Sequence, residues 1–121
     1  MSVQTTVAIV DDNEGVLRAL QLTIKTLGLP TTVYSSPQRA LEELPFLEKP
    51  PLVLTDLRMP LISGEELALG IKQLRPEIPI ILMSGHAVSA ELQRLIPKVI
   101  VGFLPKPFTP PQFLELALPW L

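Results

Sequence analysis

The chain has no cysteine. Disulfides, thiol nucleophiles and cysteine-based zinc sites are excluded together. A single histidine rules out a His-rich metal site. Aromatic residues make up 5%, and charged residues only 18%, below the share usual for a soluble domain. The formal charge of -2 is spread without a basic block, so the electrostatic footprint of a nucleic-acid binder is missing. No apolar run approaches the ~20 residues that cross a bilayer; Ile78 to Met83 is among the longest and Pro79 interrupts it. No basic start followed by an apolar stretch marks a secretory signal. These absences predict a cytoplasmic location.

What is present is apolar and punctuated. Hydrophobic residues reach 47% of 121 positions, which excludes a disordered chain and suffices for one domain with one core. The expectation is a single domain over 1–121, with no output domain in this chain. Fourteen prolines, more than twice the usual share, fall mostly between the apolar runs and mark their ends. Five runs read as strands: Thr6 to Val10, Thr31 to Tyr34, Leu52 to Thr55, Ile78 to Met83 and Ile100 to Leu104. Most are continuous in Val, Ile and Leu, the pattern of strands buried on both faces of a parallel sheet.

Helical stripes lie between them. Val16, Leu20, Ile24 and Leu27 form one, with Gly28 as its stop. Ala40, Leu41, Leu44 and Leu47 form a second, opened by Ser36 and Pro37. Leu67, Ile71 and Leu74 form a third, opened by the pair Ser63 and Glu66. Val88 to Ile96 is a weaker fourth. Thr109 to Leu118 is a fifth, with Thr109 and Gln112 as its capping pair and two prolines in its first turn. Strand and helix alternating five times predict an α/β fold, a three-layer doubly wound (βα)5 sandwich around a five-stranded parallel sheet.

Polar residues collect where the strands end. Asp11 and Asp12 follow the first, Asp56 the third and Lys106 the fifth, while Ser84 ends the fourth. In an open parallel sheet those ends share one edge, where ligands bind. Three carboxylates drawn together repel one another unless a cation sits among them. An oxygen-lined site with room for water suits Mg2+. The lysine and hydroxyl then remain for an anion on that metal, naturally a phosphate, and one carboxylate can act as its nucleophile.

Four stretches carry this constellation: Val10-Asp11-Asp12; Thr55-Asp56-Leu57-Arg58-Met59-Pro60 with Gly64 following; Met83-Ser84-Gly85; and Phe103-Leu104-Pro105-Lys106-Pro107-Phe108. Each alone is unspecific. Together, in order and across essentially the whole chain, they resemble the receiver domain of two-component response regulators, the CheY-like family. The resemblance implies a flavodoxin-like strand order, 2-1-3-4-5. It implies that Asp56 accepts a phosphoryl group from the phosphohistidine of a histidine kinase or phosphotransfer protein. Asp12, Asp56 and the Arg58 backbone carbonyl would ligate Mg2+, and Asp11 would act mainly through a metal-bound water. Lys106 would pair with a phosphoryl oxygen, aimed by a cis bond before Pro107. Ser84 would close onto the phosphoryl group and Phe103 would swing into the space it leaves, resetting the output surface. The protein would be a phosphoprotein that assists its own Mg2+-dependent phosphorylation and dephosphorylation in signal transduction or a phosphorelay, not a conventional enzyme.

Plainer readings stand beside these. Asp11 alone could cap a helix, though two adjacent acids exceed what a cap needs. Asp56 could be a turn residue before Pro60, Lys106 a solvated surface lysine, and Ser84-Gly85 an ordinary turn. Phe103 could be simple core. His86, the single histidine, is given no catalytic role, because the family's phosphohistidine belongs to the partner. Arg58 is either a solvent-facing side chain or one that tunes phosphate lifetime.

Two segments depart from the family pattern. A Gly-Ala pair usually precedes the fifth strand; here Val99-Ile100 follows Pro97 and Lys98, and neither residue pair supplies a left-handed cap. The fourth helix is therefore expected to be short, shifted or loosely packed. The fifth is apolar nearly all round, through Phe113, Leu114, Leu116, Ala117, Leu118, Trp120 and Leu121. The face formed by the fourth helix, fifth strand and fifth helix is expected to dock a second copy or an output domain, unless the helix packs deeply on the sheet. Stand-alone receiver, hybrid-kinase receiver and part of a longer regulator all remain open. Two other functions compete. A phosphohydrolase of the haloacid dehalogenase type needs a second aspartate where Arg58 stands. A phosphorylation-independent interaction module would have lost an acid or the lysine, and all are present.

Overall fold

The structure, a computed structural model, describes residues 4–121. Residues 1–3, the start of the expected 1–121 domain, lie outside the described residues. Strands β1 (Val7–Val10), β2 (Thr31–Tyr34), β3 (Leu52–Asp56), β4 (Ile80–Ser84) and β5 (Gly102–Pro105) alternate with helices α1 (Glu14–Lys25), α2 (Pro37–Glu43), α3 (Gly64–Leu74), α4 (Ala90–Gln93) and α5 (Pro110–Ala117). All pairings are parallel, in the order β2-β1-β3-β4-β5. Fold class and strand order are as expected.

Period-two alternation sorts the strand side chains into two cores. Ala8, Val10, Val53 and Leu82 face α2 and α3, meeting Ala40, Leu67 and Ile71. Val7, Ile9, Leu54 and Met83 face α1 and α5, meeting Leu17, Ile24 and Phe113. Both faces of β1, β3 and β4 are thus covered, which is why those strands lack polar alternation.

Side-chain caps start the helices. Asn13, not Asp11, caps α1, accepting from the Val16 amide at 3.0 Å. Both expected capping boxes form: Ser63 with Glu66 on α3, and Thr109 with Gln112 on α5. Gly28 closes the turn after α1 with φ of 78°, a conformation open to glycine. Beyond α3, the Arg75 guanidinium donates to the carbonyls of Pro45, Leu47 and Glu48 and ties the 45–48 segment to the helix end.

Several boundaries differ from expectation. β1 begins at Val7 instead of Thr6, β4 at Ile80 instead of Ile78, and β5 at Gly102 instead of Ile100. Ile78 and Ile100 are nonetheless buried, so apolar character there reports burial without ladder pairing. The stripe ending at Leu47 splits into α2 and a 3-10 turn, Leu44–Phe46, around Pro45. The fourth helix is short, as anticipated: α4 is one turn, and Arg94, Leu95 and Ile96 continue it with tighter bonds to residues three back. The all-round apolar character expected of α5 resolves into two parts. Phe113 and Ala117 are buried and Leu114 and Leu116 half-buried, whereas Leu118, Trp120 and Leu121 beyond the helix are exposed.

Candidate functional site

The register of β1, β3, β4 and β5 brings the expected residues to one edge. Asp11 leaves β1 with its amide on the Tyr34 carbonyl at 3.1 Å, and its side chain is 1% exposed. One carboxylate oxygen accepts from the Asn13 amide at 2.9 Å, the other from Lys106 Nζ at 3.0 Å. Asp56 ends β3 with its carboxylate half-buried and Oδ1 3.3 Å from the same ammonium. Asp12 is exposed beside them, and the three acids each offer an oxygen within 4.8 Å of the others. The Lys106 amide donates to the Ser84 carbonyl at 2.8 Å, and the bond to Pro107 is cis, as expected. The Ile96–Pro97 bond is also cis, which no sequence signal announced.

The charges do not balance, with three carboxylates around one ammonium. Burial raises the Asp56 carboxyl above its ordinary value; Lys106 opposes the shift and the charge of Asp11 adds to it. Burial alone would lower Lys106, but its hydrogen bond to Asp11 and the charges of Asp11 and Asp56 outweigh that and raise it. A cluster of hard oxygens with surplus negative charge fits a divalent cation. Both oxygens of Asp11 already hold donors, whereas Asp12 is open to solvent. That division suits Asp12 and Asp56 as direct ligands and Asp11 as an outer partner.

Beside Asp56 lies a cleft of about 210 Å³, lined by Arg58, Ser84, His86 and Lys106 among others. It has the size for a small tetrahedral anion, with the ammonium at one wall. Ser84 lines it, but its hydroxyl is engaged: Oγ donates to the His86 carbonyl at 2.8 Å and accepts from the His86 amide at 3.1 Å. Donating to an anion on Asp56 would use the hydroxyl's one proton, which the His86 carbonyl now accepts. Phe103 is half-buried beside a second groove of about 400 Å³, which Ser84 and His86 also line. His86 and Arg58 are exposed at the cleft mouth. Sequence reasoning missed the Ser84–His86 pairing, because a serine-glycine turn carries no sign of which backbone groups its hydroxyl binds.

A doubly wound parallel sheet with three acids, a hydroxyl and a lysine at its C-terminal edge is the arrangement expected of a receiver domain. A family model, the response regulator receiver domain, matches residues 7–118. The chain belongs to this family. Response regulator protein TmoT of Ectopseudomonas mendocina is 33% identical over 105 residues, which cover 87% of this chain and 47% of that protein. The solved structure of FixJ-N superposes with a TM-score of 0.85 at 30% identity, covering 97% of this chain and 93% of that one. The receiver domain of sensor histidine kinase PA1611 from Pseudomonas aeruginosa, with magnesium coordinated in its active site cleft, shares the fold: TM-score 0.82, 18% identity, 98% of either chain. The chain spans less than half the length of the curated relatives it matches first. Among the described residues no helix is long and apolar enough to cross a membrane.

Proposed function

We propose that residues 1–121 act as one receiver unit that takes a phosphoryl group onto Asp56 from the phosphohistidine of a histidine kinase or phosphotransfer protein. The observation that carries this reading is the Lys106 ammonium poised between Asp11 and Asp56, 3.0 and 3.3 Å away, at the wall of an anion-sized cleft. Asp12, Asp56 and the Arg58 carbonyl would hold Mg2+ directly, with Asp11 behind them. Bound there, Mg2+ would neutralise charge on the acids and the phosphoryl oxygens. An Asp56 oxygen attacks phosphorus, the bond from phosphorus to the donor imidazole breaks, and its electron pair returns to that nitrogen. Lys106 offsets the charge on the phosphoryl oxygens, and little further covalent help is needed. The protein supports these transfers without being a conventional enzyme.

The phosphorylated form would draw the Ser84 hydroxyl away from His86 and free Phe103 to move inward. A phosphoryl group shifts a population only through contacts that differ between the two states, and Ser84 supplies that difference. The face of α4, β5 and α5 is the proposed output surface, for a second copy or an output domain, and the proposed setting is the cytoplasm. The phosphorylation-independent alternative draws support from the one-turn α4 alone, and the complete acceptor site weighs against it.

Intact mass after incubation with Mg2+ and acetyl phosphate tests the assignment. A gain of one phosphoryl group, absent without Mg2+ and in Asp56→Ala, is expected. No gain under conditions that modify a known receiver would leave the interaction module standing.

A further inference from the structure

The peptide that follows the acceptor is tied to β4 by its N–H, the Leu57 amide donating to the Met83 carbonyl at 2.9 Å, and is approached at its carbonyl by two further groups. Thr55 Oγ1 donates to the Asp56 carbonyl oxygen at 3.1 Å. The second is Gly64, the first residue of α3. A Cβ at this position would run into that same oxygen, and would lie 2.9 Å from Leu57 Cα and 3.0 Å from the Asp56 carbonyl carbon. All three are backbone atoms, so no rotamer change makes room. The Gly64 amide also donates to the Leu57 carbonyl at 2.8 Å and closes the neck of the loop between them. Gly64 does not have a positive φ, so the site needs its missing side chain and not its backbone freedom.

Behind Gly64, α3 is firmly seated. Leu67, Ala68 and Ile71 are fully buried, and the Ser63–Glu66 box fixes the first turn. The loop it closes carries Arg58 and has an exposed tip, Leu61, at φ 69°. Gly70, in the same helix, offers a contrast: its Cβ would meet the Leu41 side-chain tip at 2.9 Å, and that tip can turn aside.

We infer that Gly64 is a positioning residue for the metal and acceptor site. By letting the start of α3 press directly on the Asp56–Leu57 peptide, it sets the Asp56 carboxylate and the Arg58 carbonyl at the spacing a divalent cation needs. This inference rests on the proposed function, in which those two groups ligate Mg2+. An outer partner of this kind commonly controls metal affinity by about 10- to 100-fold, and a displacement near 1 Å can slow a reaction by about 100-fold.

The test compares wild type, Gly64→Ala and Gly70→Ala. Mg2+ is titrated while the amide resonances of Asp56, Leu57 and Arg58 are followed. Thermal midpoints and phosphorylation rates at saturating Mg2+ are measured on the same samples. Gly64→Ala should weaken Mg2+ binding by about tenfold or more and slow phosphorylation. Gly70→Ala should bind Mg2+ within about twofold of wild type even where its midpoint has fallen. Equal Mg2+ affinity in wild type and Gly64→Ala would overturn the inference. Equal weakening in both variants would also overturn it, because the cause would then be general loss of stability. Should Gly64→Ala not fold, Thr55→Val carries the test, since it frees the same carbonyl without a clash. Weaker Mg2+ binding supports the inference and unchanged binding overturns it. A wild-type chain that binds no Mg2+ would instead remove the functional reading beneath it.

Discussion

The β3–α3 and β4–α4 crossovers begin alike and end differently. Each leaves the sheet at a site residue, Asp56 or Ser84, and each enters its helix through a serine cap, Ser63 or Ser89. From there α3 runs 11 residues and buries Leu67, Ala68 and Ile71, whereas α4 runs 4 and buries none fully. The chemistry differs with the packing. Under the proposed function, Asp56 would have to be in place before any phosphoryl group arrives, and it is followed by the well-seated α3. Ser84 would have to move once the group is present, and the segment after it is the weakly packed one. On that reading, rigidity within one sheet would go to the group that receives and looseness to the group that responds.

Substitutions can break this contrast. The largest effect is expected from Asp56→Asn, which should abolish phosphorylation outright while leaving the fold intact, read as intact mass beside the circular dichroism spectrum. Next is the packing itself. Leu67→Ala should cost about 2–5 kcal/mol and the half-buried Leu92→Ala about 1 kcal/mol, by chemical denaturation. Similar costs would mean that the two crossovers are equally well seated. The caps should repeat the difference on a smaller scale. Ser63→Ala should cost about 1 kcal/mol, and Ser89→Ala only a few tenths, because a one-turn helix contributes little to lose.

Charge sharpens the acceptor side of the comparison. Asp12→Asn relieves repulsion among the acids, so the thermal midpoint in EDTA should rise by roughly 2–5 °C, while the stabilisation that Mg2+ gives the wild type disappears. A fall in EDTA would show that the trio is not electrostatically strained. The smallest effect concerns pH. Burial raises the folded Asp56 carboxyl above the ordinary 3.8; Lys106 opposes this and Asp11 adds to it. The folded chain therefore keeps that proton to higher pH than the unfolded chain does. Its contribution favours folding below 3.8 and fades as pH rises through the folded value. Without metal, wild type should lose stability relative to Asp56→Asn across the window just above 3.8, and parallel curves would count against the raised value.

The strand centres and the site were legible for one reason. A doubly covered sheet demands unbroken apolar runs, and the polar residue that interrupts each run marks its exit edge. Asp11, Asp56, Ser84 and Lys106 were found that way. The run beginnings were not legible, since Ile78 and Ile100 are buried like strand residues while their backbones pair elsewhere. Pro97 and the missing glycine announced a weak α4, but not that it would tighten into bonds three residues back. The α5 stripe was legible as apolar but not as to which part is buried, because composition cannot tell a core residue from an exposed one: Phe113 is buried and Trp120 exposed. The closeness of Gly64 to the acceptor peptide left no trace beyond a glycine in the motif.

Lys106 and Asp11 stand 95 positions apart in the chain and 3.0 Å apart in space. A ribosome makes the chain from the N-terminus, so the acids emerge long before their lysine. Until β5 joins the sheet, the trio has no counter-charge and the cleft lacks a wall. Under the proposed function, a molecule whose β5 has not yet joined the sheet would lack both the counter-charge and the cleft wall that phosphoryl acceptance calls on.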